Sequence, residues 1–157
     1  MDGIKVAVAF GSNLGDRERY LREAVEELRS FISDLTSSTF YDTAPIGVGD
    51  QPRFLNAAAI GATTLSARAL LERLLSIEAK FGRTRPHPGA ARTLDLDLIL
   101  YGDQIIEERD LTVPHPRFRE RFFVLGPLAE IAPDLIDPIT GLKVWELLRN
   151  LLRDQSR

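Results

Sequence analysis

Apolar and small or polar positions alternate from Ile4 to Phe10, where Ile4, Val6, Val8 and Phe10 interleave with Lys5, Ala7 and Ala9. A period of two predicts a strand with two distinct faces. Gly11-Ser12-Asn13-Leu14-Gly15 reads as a tight loop, and Asp16 is placed to cap the helix that follows. Leu21, Ala24, Val25, Leu28 and Ile32 then fall on one helical stripe. Thr36 to Tyr41, rich in threonine and aromatics, predicts a second strand, and Leu55 to Thr64 a third. Between them, Asp42 to Arg53 holds two glycines and two prolines and reads as a loop long enough to be functional.

Ser66 is positioned to cap a second helix, with Leu70, Leu71, Leu74, Leu75 and Phe81 as its buried stripe and Gly82 as its end. Glu78 lies on that stripe, four residues after Leu74. A carboxylate there either pairs with a buried cation or reaches a site, or it sits at the margin and extends to water. Next comes Arg92-Thr93-Leu94-Asp95-Leu96-Asp97-Leu98-Ile99-Leu100-Tyr101, which reads as a buried strand. Strict alternation would send Leu94, Leu96, Leu98 and Leu100 one way and Asp95 and Asp97 the other, the two acids roughly 7 Å apart. Leu111-Thr112-Val113-Pro114-His115-Pro116 and a basic stretch with Arg117, Arg119 and Arg121 follow. A last amphipathic helix is expected from about Val144 to Leu152, with Trp145 in the core.

Strand, helix, strand, strand, helix, strand is the order of an α+β, ferredoxin-like fold. It has an antiparallel sheet with helices packed on one face, here with additional elements at the C-terminus. No repeat, linker or low-complexity segment divides residues 1–157, so one domain is expected. The net charge of −3 gives no global electrostatic case for nucleic acid or an anionic membrane. There is no cysteine, which removes thiolate metal sites and thiol nucleophiles. The apolar run near the N-terminus is too short for a signal peptide or a membrane span, so a cytoplasmic location is the default.

Two carboxylates side by side on an apolar strand repel each other and resist desolvation. A hard divalent cation, Mg²⁺ shared with phosphate, would compensate them; an edge strand with one wet face is the alternative. Directly upstream, Arg83 to Arg92 is an acid-free loop carrying Arg83, Arg85, His87 and Arg92 with two prolines and a glycine. Arginines beside paired carboxylates suit a metal–polyphosphate complex, and they could equally pair with the aspartates themselves. The Gly11-to-Gly15 loop matches no phosphate-loop pattern and is read as a structural turn. His115, between two prolines, is either a phosphate donor or a surface turn residue. Two rivals are a ferredoxin-like RNA-binding module and an ordinary kinase that moves only a γ-phosphoryl group. The alanines and aspartates of the first and acidic strands disfavour the RNA reading.

Phe10-Gly11-Ser12-Asn13-Leu14-Gly15, Phe40-Tyr41-Asp42-Thr43 with Pro45 and Gly47, Phe54-Leu55-Asn56-Ala57, Arg92-Thr93-Leu94-Asp95-Leu96-Asp97 and Leu111-Thr112-Val113-Pro114-His115 run in order along nearly the whole chain. Together they resemble the 6-hydroxymethyl-7,8-dihydropterin pyrophosphokinases of folate biosynthesis. The resemblance implies transfer of a diphosphate from ATP to the hydroxymethyl group of a reduced pterin, with release of AMP. It implies two Mg²⁺ ions on Asp95 and Asp97, with Arg83 and Arg92 joining them in catalysis. Thr43, Ala44, Ile46, Phe54, Asn56, Asp95 and Phe123 would hold the pterin. Glu78, Arg83, Arg85, Arg92, Leu98, Thr112, His115 and Arg121 would hold ATP. A monomer without nucleic-acid or membrane partners is expected. The chain departs from the family's pattern in a short arginine loop without tryptophan, and in Leu75, Asp110 and Pro116, where an amide, an arginine and an aromatic would be looked for.

Overall fold

β1 (Ile4–Ser12) leads the computed structural model, which describes residues 3–43, 53–82 and 93–155. α1 (Arg17–Arg29) begins at Asp16, whose side chain accepts from the Arg19 N–H and satisfies one unpaired donor of the first turn. Leu21, Ala24, Val25 and Leu28 form its buried face, and Ile32 is buried beyond its end. The segment expected as one strand from Thr36 is instead two, β2 (Ser33–Ser37) and β3 (Tyr41–Thr43). Both pair with β4 (Phe54–Thr63). The break falls at buried Ser38, where the Ala58 N–H donates to the serine Oγ at 3.0 Å, a side chain standing in for a ladder partner. Asp42 and Thr43 are therefore strand, and residues 44–52 of the expected loop lie outside the described residues.

α2 (Ala67–Lys80) is capped by Ser66, whose Oγ accepts from the Ala69 N–H. Its buried column is Leu70, Leu74, Ile77 and Glu78. Leu75, expected on that stripe, is 52% exposed, because Leu70, Leu74 and Ile77 at i, i+4 and i+7 already complete the inward face.

The sheet has the order β2-β4-β1-β5, antiparallel throughout, with β5 (Asp95–Tyr101) at one edge and β3 extending the other side of β4. This is the ferredoxin-like arrangement. α1 and α2 cover one face through Val6, Val8, Phe10, Leu28, Leu74 and Leu96. β6 (Ile106–Glu108) and β7 (Leu111–Val113) form a separate ribbon. The C-terminal additions, α3 (Phe122–Ile131) and α4 (Val144–Gln155), cover the opposite face, where Leu125, Leu128 and Val144 meet Ala7, Ala9 and Ala58. Trp145, expected in the core, is 40% exposed with the Arg149 guanidinium over its ring; Val144 and Leu147 make the buried face of α4.

β5 departs from strict alternation at one point. Ala7 pairs with Leu100 while Val8 pairs with Leu98, so Ile99 is an extra residue in a β-bulge. Leu94, Leu96 and Leu98 enter the α1/α2 cluster as expected, but Leu100 joins Ile99 on the α3/α4 side. No helix among the described residues is long and apolar enough to cross a membrane.

Close packing of β2 on β4 depends on Gly61, where a Cβ would stand 2.7 Å from the Ser33 carbonyl oxygen. Backbone cannot yield as a flexible side chain can. Gly61→Ala is therefore expected to lower stability by about 1–3 kcal/mol in urea unfolding, and an unchanged midpoint would contradict this packing.

Candidate active site

Strand register assembles the site. Tyr41, Asn56, Gly11 and Asp95 stand opposite one another in turn across β3, β4, β1 and β5. The neighbouring row contains Ala58, Ala9 and Asp97. Residues directly opposite in antiparallel strands share a face, so both aspartates stand on the α3/α4 side, beside a floor of glycine and alanine. Each is partly exposed.

Gly11 is strand and not the turn glycine its sequence suggested. A Cβ there would come within 2.6 Å of Asn56 Oδ1, so the missing side chain makes room for the buried carboxamide. Asn56 Nδ2 in turn donates to Thr43 Oγ1 at 2.6 Å. Phe54 lies opposite Thr43 and, two residues from Asn56, shares its face. A glycine inside an alternating strand pattern signals such an approach, and it was the available clue here.

The outer edge of β5 is closed by side chains and a turn. The Leu96 N–H, between the two aspartates, donates to Glu78 Oε2 at 2.7 Å, and this carboxylate is 2% exposed. That places Glu78 on the inward face of α2 and rules out the reading in which it sits at the margin and extends to water; the group it accepts from is a backbone N–H. Further along the strand, the bulged Ile99 offers its carbonyl to the His115 N–H at 2.9 Å. The bulge thus fixes His115 to the strand that carries the acids.

His115 Nδ1 accepts the Arg117 N–H at 3.1 Å, which leaves the ring proton on Nε2. Burial lowers its pKa from 6.5 to about 4, with Arg121 and Arg117 adding to the shift and Asp95 opposing it. His115 is therefore a neutral donor at pH 7, within the fields of both Asp95 and Arg121. The Arg121 guanidinium also lies 5.5 Å from the centroid of the Phe123 ring, in the first turn of α3. A continuous arc results, from Thr43 and Asn56 through Asp95 and His115 to Arg121 and Phe123.

Not every expected residue joins that arc. The Leu98 side chain is buried in the α1/α2 cluster, so only its backbone can face a ligand. Thr112 is exposed on β7. Ala44, Ile46, Arg83, Arg85 and Arg92 lie outside the described residues. The sequence did not signal a clamp beside Thr43, in which Arg53 donates to Asp42 Oδ1 at 2.8 Å and Arg17 to the Arg53 carbonyl at 2.9 Å. Nothing in the local pattern distinguishes these three from ordinary surface charges.

The family model described as 7,8-dihydro-6-hydroxymethylpterin-pyrophosphokinase (HPPK) matches residues 7–133. A 2-amino-4-hydroxy-6-hydroxymethyldihydropteridine pyrophosphokinase of Bacillus subtilis (strain 168) is 43% identical over 148 residues, 88% of this chain and 89% of that protein. One from Methylorubrum extorquens is 46% identical over 147 residues, 92% of this chain and 91% of its own. The crystal structure of Plasmodium falciparum HPPK-DHPS wild type has the same fold at 13% identity. Its TM-score is 0.76 over 97% of this chain, which spans 45% of that longer one. A family pattern matched from the first strand to the end of α3, and relatives above 40% identity over most of both chains, establish that this chain belongs to the 7,8-dihydro-6-hydroxymethylpterin-pyrophosphokinase family.

Proposed function

We propose that this chain transfers the diphosphate of ATP to the hydroxymethyl group of 6-hydroxymethyl-7,8-dihydropterin, releasing AMP, in folate biosynthesis, and that it does so on the Asp95–Asp97 face of the sheet. The observation that carries this reading is the register. It sets two carboxylates beside a glycine-and-alanine floor, with a buried amide on one side and a neutral imidazole donor on the other.

The acidic pair suits Mg²⁺. Among the described residues no group of three or more acids, histidines or cysteines could enclose a metal ion by itself. An ion held by Asp95 and Asp97 needs substrate oxygens and water to complete its shell, which is the habit of Mg²⁺ bound with polyphosphate. Two such ions, when bound, neutralise phosphate charge and acidify the attacking hydroxyl.

The remaining work belongs to the protein. Asn56 and Thr43 present an amide and a hydroxyl, hydrogen-bonded to each other, to the pterin's polar edge, with Phe54 beside them and Phe123 as the stacking ring; Ala44 and Ile46 are assigned to the same ligand. His115 Nε2–H and the guanidinium of Arg121 face the polyphosphate, with Arg83, Arg85 and Arg92 assigned to the same anion. Glu78 fixes the backbone beneath the acids. The adenine edge is read by the backbone of Leu98 and by Thr112. Held in this way, the hydroxyl oxygen attacks the β-phosphorus in line. The O–Pβ bond forms as the bond from Pβ to the bridging oxygen breaks, and AMP departs with that oxygen. The hydroxyl proton is lost on the side of Asp97. Positioning and charge neutralisation supply most of the rate. Residues 1–157 act as one catalytic domain, a cytoplasmic monomer.

Asp95→Ala and Asp97→Ala should each abolish turnover at saturating substrates while the protein stays folded by circular dichroism. Near-normal kcat in either variant contradicts the metal assignment. His115 should titrate near pH 4 in the ligand-free protein, read from its ring proton by NMR, and contribute no limb to the rate profile between pH 6 and 8. Because its folded-state pKa lies below the unfolded value of 6.5, the unfolded chain binds the extra proton first. The contribution of His115 to stability therefore falls as pH drops from 6.5 towards 4 and is constant below. A midpoint near 6.5 would show that the ring is not held as described.

A further inference from the structure

α3 carries one polar side chain, Glu130, on the face that presents Phe123. Glu130 lies seven residues further along, two turns and about 10 Å down the axis of one continuous helix. Its carboxylate reaches the strand on the far side of the pterin site. Oε2 accepts the Thr39 N–H at 2.9 Å, and Oε1 accepts the hydroxyls of Thr39 and Tyr41, each at 2.7 Å. These bonds, that from the Thr39 hydroxyl foremost, hold the Glu130 carboxyl below its ordinary range.

What Glu130 grips is informative. Thr39 and Tyr41 lead into Thr43 through a strand of only three residues, and Tyr41 begins the row that continues through Asn56 and Gly11 to Asp95. Among the described residues β3 is bound to the sheet by β4 alone. It therefore has little of its own to hold its height above the floor. The two walls assigned to the pterin are this strand with β4, and the first turn of α3. Glu130 joins them by three charge-assisted hydrogen bonds, the strong kind. The helix otherwise rests on the sheet through apolar packing of Leu125 and Leu128, which resists separation but does not fix rotation.

We infer that Glu130 is a positioning residue for the pterin: tied to Thr39 and Tyr41, it sets the separation of β3 from α3 and the angle at which Phe123 faces Thr43 and Asn56. The inference rests on the assignment of those three residues to the pterin. Glu130 touches no substrate and acts through both walls.

Steady-state kinetics on Glu130→Ala, Glu130→Gln and Tyr41→Phe, alongside Phe123→Ala and Asn56→Ala, test it. Glu130→Ala should raise the KM for the pterin about tenfold, the scale of one charged hydrogen bond, with the KM for ATP changed less than twofold. Glu130→Gln keeps one accepting oxygen and should recover part of the loss. Tyr41→Phe removes a single bond and tests the tie without threatening the fold. An unchanged pterin KM in all three, while Phe123→Ala and Asn56→Ala raise it, overturns the inference and leaves the site standing. Parallel rises in both KM values together with a lowered Tm mark a merely structural contact and overturn it as well. If Phe123→Ala and Asn56→Ala themselves leave the pterin KM unmoved, the slot is misassigned and the inference falls with it.

Discussion

An edge strand that carries two carboxylates cannot leave its outer backbone groups to chance. Among the described residues β5 has β1 on one side and no strand on the other, yet its polar groups lie against α2 and the turn after β7. A buried amide without a partner costs on the order of 1–3 kcal/mol and invites local movement. The chain answers with Glu78 on the Leu96 N–H and with the His115 N–H on the Ile99 carbonyl. Both contacts fix the backbone beside the acidic pair. One of them also delivers the imidazole, so the bond that closes the sheet places the donor next to the acids.

The same economy shapes the floor. Gly11, Ala9 and Ala58 add almost no side-chain height, which keeps the acidic face shallow and lets α3 approach from above. The absent Cβ of Gly11 admits the Asn56 amide, and that amide is held by Thr43. Burial keeps the imidazole neutral against the pull of Asp95 and still leaves a proton on Nε2. The imidazole therefore keeps one charge state across the physiological range.

The fold was legible because its period-two and period-3.6 patterns are clean. The caps at Asp16 and Ser66, the stripe of α1 and the strand order all followed from residue type and spacing. Asp95 and Asp97 were legible as a pair for the same reason, and the ordered motifs supplied the family. The failures share a physical origin, since each depends on a partner distant in sequence. The Ile99 bulge turns Leu100 to the other face only because Ala7 and Val8 sit opposite it. Ser38 divides a threonine-rich strand by bonding to Ala58. Trp145 is surface because Val144 and Leu147 already fill the contact with α3. Glu130 and the Arg17–Asp42–Arg53 clamp carried no local signature; ordinary charges became specific only through where the sheet and α3 bring them.

The proposed reaction moves two phosphoryl groups as a unit from ATP to a pterin hydroxyl on this face. Incubating the protein with Mg²⁺, ATP and 6-hydroxymethyl-7,8-dihydropterin, then separating the nucleotides, tests it directly. AMP should form only when the pterin is present, and in equal amount to the diphosphorylated pterin. ADP as the nucleotide product, or AMP formed without the pterin, would contradict it.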